Sequence, residues 1–336
     1  MPELDVENSI FSKRLVIVAG KGGVGRTTVA AALGVAFARR GKRTLIFQAG
    51  VKESLSHLFT VPPIGEQISP LRDRLWAVAT NPKAALREYG LLTFRHETIA
   101  RAVLENSLSR SLLRAIPGFD SFAMLGKMCW HATQQRDRHG GLAWDTVVFD
   151  APATGHVVSM LGIPRAIHSA IAEGPLARDA AQMRWLFEDP QRTGVLLVTL
   201  AEEMPYSETL DLANRLQDEL AICPSYAVVN RLYPDRFRSL SVPARVLDAL
   251  LDSTTAASPA TTTSPTTTTS TPTIAASLVA RSQTIRSRWL VNERYLGKLR
   301  DNLGIPEIRL PFLFAPKLRQ AEIDRLSLLI EDQVIG

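Results

Sequence analysis

Residues 14–28 read RLVIVAGKGGVGRTT and join an apolar run to a cluster of glycines. The apolar run at 15–19 predicts a buried strand, the glycines at 20–25 predict a tight turn, and the following residues predict a helix. This order is the context of a phosphate-binding loop, whose pattern is G-x-x-x-x-G-K-[ST]. Glycines let backbone N–H groups turn towards an oligophosphate, and the positive N-terminus of the helix faces the same anion.

The pattern departs from its usual form at one position, because Arg26 stands where the pattern has Lys. A guanidinium is a longer, planar group than a compact ammonium, so we expect a weaker hold on phosphate. Thr27 is predicted to bind Mg²⁺ through its hydroxyl. The predicted nucleotide-binding residues of the loop are Gly20, Gly22, Gly23, Val24, Gly25, Arg26, Thr27 and Thr28. A glycine-rich turn without a ligand is the alternative.

Lys21 directly follows the first glycine and gives the loop the form GKGGVG. This resembles the deviant Walker A loop of the MinD/ParA/ArsA superclass of P-loop ATPases. In that superclass the extra lysine reaches across a dimer interface to the nucleotide of the partner subunit. The resemblance therefore implies a catalytic role for Lys21, beside Arg26.

A second phosphate-site element follows at 144–156, which reads WDTVVFDAPATGH. An apolar strand that ends in a carboxylate suits a Walker B motif, so Asp150 is predicted to hold Mg²⁺ through water. The residues after Asp150 resemble the D-T-A-P-T-G-H switch of ArsA-like ATPases, and the LGIP at 161–164 strengthens this resemblance.

The stretch TLIFQAGVKESLSHLF at 44–59 resembles S-T-D-P-A-H-x-L-S-D-x-F of the same family. In this register Gly50 replaces the Asp that orients the attacking water. Glu53 is a candidate catalytic substitute for that Asp; the alternative is an ordinary exposed helix residue. Arg26 and Gly50 together predict attenuated or absent ATP hydrolysis.

Two positions in the last third of the chain complete the predicted nucleotide site. Asn230 ends a strand and matches the family position whose amide binds adenine, although an Asn in a strand-end turn is the alternative. Pro311 begins PFLFAP, which resembles the family loop that packs on adenine.

The order of strands and helices predicts an α/β fold, a mostly parallel sheet flanked by helices, as a single P-loop ATPase domain over 14–336. A helical subdomain at 81–141 and 164–190 is expected between the strands. Five of the six Met lie between Met124 and Met204, where they line a client groove or fill the core. The Thr- and Pro-rich segment at 253–273 is expected to be disordered.

Composition narrows the class of protein. The chain has 336 residues, a net charge of +6 and 46% hydrophobic residues, as a globular protein does. Its two cysteines, Cys129 and Cys223, exclude a disulfide framework and a four-cysteine zinc site. The first residues show no signal peptide, and no apolar run is as long as a membrane span. A reduced, soluble, cytoplasmic protein is expected.

The resemblance to ArsA-like and tail-anchored-protein-targeting ATPases covers nearly the whole chain from about Arg14 to the end. The Thr-rich segment lies outside it, and the helical block matches in pattern only. It implies a nucleotide-gated dimer that uses ATP and Mg²⁺, either a homodimer or a heterodimer with a related ATPase subunit. The expected further partner is a hydrophobic client or a membrane-associated protein. No C-x-x-C occurs in the chain, so the zinc clamp of the targeting branch is not expected.

Three other functions are compatible with parts of the sequence. A MinD/ParA-type positioning ATPase would bind membrane or DNA through residues 281–300, which carry six basic residues against one acidic residue. Such runs are more often solvated helix faces, and nucleic acid is not the expected partner. A metalloid-pump subunit would need a cluster of thiols. A scaffold without nucleotide is the remaining alternative.

Overall fold

The computed structural model describes residues 9–49, 53–81, 84–89, 118–152, 154–171, 173–235 and 271–335. The predictions for Gly50, for much of the helical block before residue 118 and for most of the Thr-rich segment at 253–273 therefore lie outside the described residues. The last three residues of that segment, 271–273, were expected to be disordered but are helical.

One sheet runs through the described part of the chain, with the strand order β3-β4-β2-β5-β1-β6-β7-β8. Neighbouring strands are parallel except for β3 and β4, which pair antiparallel. This confirms the predicted mostly parallel α/β sheet. The strands are β1 (Leu15–Gly20), β2 (Thr44–Ala49), β3 (Ser69–Arg72), β4 (Leu75–Thr80), β5 (Thr146–Asp150), β6 (Thr193–Leu200), β7 (Tyr226–Leu232) and β8 (Glu307–Pro311).

Helices cover both faces of this sheet. The described helices are α1 (Arg26–Arg39), α2 (Leu55–Phe59), α3 (Phe119–Thr133), α4 (Thr154–Ala170), α5 (Pro175–Glu188), α6 (Glu203–Leu220), α7 (Thr271–Leu303) and α8 (Gln320–Ile335), with a further helical segment at 84–89. None of the described helices combines the length and the apolar character needed to span a lipid bilayer.

Alternate residues of the central strands enter two separate hydrophobic cores. Leu15 and Ile17 of β1 point into the core formed with α3, α4, α5 and α6. Val16 and Val18 point into the core formed with α1, α2 and α8. Because a strand's side chains alternate between its two faces, a strand covered by helices on both sides must be apolar throughout. All six residues of β1 are accordingly buried.

Helix α4 differs from the sequence expectation. The helical subdomain was expected to resume at residue 164, but α4 begins at Thr154 and continues past Pro164. An internal proline removes one helical hydrogen bond. Val157 and Leu161 are buried against neighbouring elements, and this tertiary packing, which a local pattern does not reveal, offsets that loss.

Candidate functional site

The glycine-rich loop lies between β1 and α1, where close approaches of other elements require glycine. A Cβ on Gly20 would lie 2.2 Å from the backbone oxygen of Val198 on β6. Gly25 has a φ of +96°, and a Cβ there would lie 2.4 Å from Nδ2 of Asn230. Gly25 is also the N-cap of α1, so it offers no side chain to the first-turn N–H groups, and that turn has no acidic residue. These N–H groups therefore remain available to an anion.

The other loop residues surround this entry to α1. Gly22 and Gly23 are exposed, Val24 is buried, and Thr28 is half-buried in the first turn of α1.

Thr27 and Asp150 meet at the foot of the loop. The hydroxyl of Thr27 donates a hydrogen bond to Oδ2 of Asp150 over 2.7 Å. The side-chain amide of Gln48, at the end of β2, donates to the same oxygen over 2.8 Å. Gln48 and Asp150 lie side by side because β2 and β5 are parallel neighbours in the sheet and these two residues pair directly.

Burial dominates the electrostatics of Asp150. It raises the pKa of this carboxyl group above its ordinary value, against the opposing effects of the Thr27 and Gln48 hydrogen bonds and the charge of Arg26. The carbonyl oxygen Oε1 of Gln48 is buried and has no hydrogen-bond partner among the described residues. Hydroxyl, carboxylate and amide oxygens are the ligand types that Mg²⁺ prefers, so this group of side chains fits the ion implied by the sequence.

Arg26 is held close to the same strand end. Its guanidinium donates to the backbone oxygen of Ala151 over 2.5 Å. Burial lowers its pKa from the ordinary value, although the charge of Asp150 acts in the opposite direction. The side chain thus contacts the backbone just beyond β5.

Lys21 has a partner within its own chain. Its ammonium lies 2.6 Å from Oε1 of Glu208 on α6, and both side chains are about a third exposed. Glu208 lies 187 residues away in a helix and carries no local motif that would predict this contact.

Glu53 lies just before α2 and both of its carboxylate oxygens are engaged there. They accept hydrogen bonds from the backbone N–H of Ser56 over 2.6 Å and from the Ser56 hydroxyl over 2.7 Å. Within the described ranges, no hydrogen bond or ion pair joins Glu53 to the glycine-rich loop. A role in orienting water stays a prediction, and it would compete with this helix-capping contact.

Asn230 links the end of β7 to the loop. Its Nδ2 donates to the backbone oxygen of Val24 over 2.9 Å, and its Oδ1 accepts from the N–H of Arg231 over 2.9 Å. Only 5% of its surface is exposed. The structure therefore assigns Asn230 a role in holding the loop, and its predicted contact with adenine stays a prediction.

Pro311 ends β8 opposite Leu232 and leads into an aromatic cluster. The rings of Tyr233 and Phe312 stack with centroids 4.8 Å apart, and the Phe314 ring lies 4.8 Å from that of Phe312. Phe314 is 58% exposed, so the cluster presents an apolar face to solvent. Tyr233 joins this cluster from the segment after β7, and no sequence motif marks it.

A sequence signal for Gln48 exists in the stretch at 44–59. In the register that aligns Gly50 with the family Asp, Gln48 stands at the Ser of the S-T-D motif. A long amide therefore occupies a position where the motif has a short hydroxyl.

Comparisons with known proteins agree with this geometry. The family model described as anion-transporting ATPase, ArsA_ATPase, matches residues 13–180. The ATPase BagA of Mycobacterium tuberculosis is 30% identical over 227 residues, which cover 66% of this chain and 66% of that protein. The ATPase GET3B of Arabidopsis thaliana is 25% identical over 281 residues, covering 69% and 67% respectively.

A third relative is the arsenical pump-driving ATPase of Escherichia coli, which is 27% identical over 243 residues that cover 64% of this chain and 39% of that protein. The match to BagA spans about two thirds of the length of that protein. Together with the loop, the Thr27–Asp150 pair and the parallel sheet, these matches show that the chain belongs to the ArsA family of ATPases.

Proposed function

We propose that this chain binds Mg·ATP in the loop between β1 and α1, and that the nucleotide controls its association with a second ATPase subunit and with a client. The observation that carries the proposal is the 2.7 Å hydrogen bond from Thr27 to Asp150 beside the uncapped N-terminus of α1. Oxygen ligands suited to Mg²⁺ thus lie beside amides suited to phosphate. Bound Mg²⁺ would neutralise phosphate charge.

We infer that adenine binds between Asn230 and the segment that follows Pro311. An amide nitrogen carries two donor hydrogens, and the contact of Asn230 with Val24 uses one of them. The exposed ring of Phe314 and its aromatic neighbours supply an apolar surface of the kind on which a base packs.

Hydrolysis is proposed to be slow or absent in the isolated chain. Arg26 is engaged by the backbone oxygen of Ala151, and the carboxylate of Glu53 is engaged by Ser56. Residue 50 is a glycine and supplies no carboxylate. Loss of a group that positions water lowers a hydrolytic rate by orders of magnitude.

The dimer and its client belong to the same proposal. Lys21 would exchange Glu208 for the nucleotide of a facing subunit, either a second copy of this chain or a related subunit. The client would be a hydrophobic or membrane-associated protein, bound on the helical block. Met124 and Met128 of this block are buried in the core, so other side chains would form the client surface.

The test compares the wild type with a double variant carrying Arg26→Lys and Gly50→Asp. Radiolabelled Mg·ATP is added, the protein is isolated rapidly, and both the bound label and the hydrolysis rate are measured. We expect the wild type to retain intact ATP and the double variant to hydrolyse it at least about tenfold faster. The control is Arg39→Lys, at the far end of α1.

Two outcomes count against the proposal. Equal hydrolysis rates for the wild type and the double variant contradict attenuated catalysis. A wild type that retains no label contradicts nucleotide binding, and the chain would then be a scaffold.

A further inference from the structure

The side chain of Gln48 is buried beside the Thr27–Asp150 pair and uses only one end of its amide. Nε2 donates to Oδ2 of Asp150 over 2.8 Å, while Oε1 has no partner among the described residues. Gln48 is 5% exposed. Buried polar atoms are hydrogen-bonded as a rule, so this oxygen is suited to a donor that a ligand brings.

The chemistry of Asp150 fixes which end of the amide is free. An ionised carboxylate only accepts hydrogen bonds, and Oδ2 already accepts one from Thr27. The opposite orientation of the amide would set its carbonyl oxygen against the carboxylate, which is repulsive. Nε2 of Gln48 therefore faces Asp150. The acceptor oxygen, Oε1, lies on the other side of the same amide group and is free of that contact.

A hydrated Mg²⁺ is a donor of the required kind. Mg²⁺ gives up its water reluctantly and usually keeps several water molecules when it binds to a protein with a nucleotide. Each of these water molecules presents O–H groups to neighbouring acceptors. In other proteins, mutation of a residue that orients the metal ligands typically lowers metal affinity by 10- to 100-fold.

We propose that Gln48 is a magnesium-positioning residue: Nε2 orients the Asp150 carboxylate, and Oε1 accepts a hydrogen bond from a water molecule of the hydrated ion. This inference rests on the proposed binding of Mg·ATP. Across the described ranges, Gln48 makes no hydrogen bond to the glycine-rich loop, so it should contribute to metal affinity and not to the affinity for metal-free nucleotide.

The test uses Mn²⁺ as the probe metal and ADP as the nucleotide, so that hydrolysis plays no part. The affinity of Mn²⁺ for the protein·ADP complex is measured from the electron paramagnetic resonance signal of free Mn²⁺. The affinity for ADP in the presence of EDTA is measured separately by calorimetry. The variants are Gln48→Leu and Gln48→Met, the second preserving side-chain length in case the first fails to fold.

Thr80→Val is the matched control. Thr80 Oγ1 is also buried without a partner among the described residues, and it lies at the end of β4, the next strand to β2. We expect either Gln48 variant to lower Mn²⁺ affinity about tenfold and to leave metal-free ADP affinity within about twofold. The control should change neither affinity.

A second comparison separates the contribution of Oε1 to Mn²⁺ affinity from that of Nε2, which acts through Asp150. If Oε1 contributes on its own, Gln48→Leu lowers Mn²⁺ affinity further when Asp150→Asn is already present. No further loss in that background, or unchanged Mn²⁺ affinity in the single variants, overturns the inference while ADP binding still supports the proposed function. If the wild type binds no ADP with or without metal, the proposed function fails, and this inference fails with it.

Discussion

The ammonium of Lys21 lies 2.6 Å from Oε1 of Glu208, so an ion pair connects the glycine-rich loop to α6. The lysine and the glutamate side chains remain 30% and 35% exposed. Solvent screens such a pair, and pairs of this kind contribute at most about 1 kcal/mol to stability. The contact is therefore weak enough to be exchanged for another partner without a large cost to the fold.

Glu208→Gln should accordingly lower the free energy of unfolding by less than about 1 kcal/mol. Urea denaturation measures this change. Glu219→Gln is the matched control, because it breaks the Arg215–Glu219 pair on the same helix. A loss of several kcal/mol in the Glu208 variant alone would mean that the pair is a structural bond and not an exchangeable contact.

Lys21→Ala should retain nucleotide binding and lose nucleotide-dependent association, because the proposal gives this lysine a role across the dimer interface. Sedimentation velocity with and without Mg·ATP measures the association. Arg325→Ala, which removes an exposed cation of α8, is the control. Equal association of the Lys21 variant and the wild type would remove the lysine from the interface.

Gly25→Ala should lower the free energy of unfolding by at least about 1–2 kcal/mol, the usual cost of a left-handed backbone for an L-residue. The new Cβ would also meet Asn230, 2.4 Å away, and displace the loop. Gly65→Ala is the control, because a Cβ there meets nothing within 4 Å and the residue lies outside the glycine-rich loop. Thermal denaturation and nucleotide titration of the two variants check this prediction, which fails if both behave alike.

Asn230→Asp should lower the free energy of unfolding by about 1–3 kcal/mol, because an acceptor oxygen would replace the donor that faces Val24. Chemical denaturation at neutral pH provides the measurement. Asn302→Asp, an exposed position on α7, should change stability little. Similar losses in the two variants would show that the effect is one of charge and not of the Val24 contact.

His131 should make stability depend on pH. Burial lowers its pKa from 6.5 to about 4, against the opposing effect of its hydrogen bond to Gln135. The unfolded chain therefore takes up the proton first, so this contribution is present above pH 6.5 and is lost as the pH falls towards 4. The gap between these pKa values corresponds to about 3 kcal/mol.

Urea denaturation between pH 7 and pH 4 measures this loss in the wild type and in His131→Phe. The variant should show a shallower decline than the wild type. His139→Gln, at an exposed position, serves as the control and should follow the wild type. Parallel pH curves for the wild type and His131→Phe would contradict the assignment to His131.

Much of the fold and part of the site follow from local sequence patterns. The apolar run before Gly20 and the one before Asp150 each form a buried strand, as predicted, because a strand covered on both faces must be apolar throughout. The glycines could be assigned to a tight turn because the residue itself permits that backbone. No local pattern predicts strand β3, because its four residues alternate weakly and its pairing with β4 defines it.

The contacts that define the site needed the tertiary structure. Gln48 meets Asp150 across 102 residues, and Asn230 meets Val24 across 206, because parallel strands bring their carboxyl ends to one edge of the sheet. A local pattern carries no information about such partners. The sequence by itself determined a glycine-rich turn between a buried strand and a helix, and a carboxylate at the end of a second buried strand. Only the folded chain decided that Glu208 engages Lys21, that Asn230 holds the loop and that Gln48 contacts Asp150.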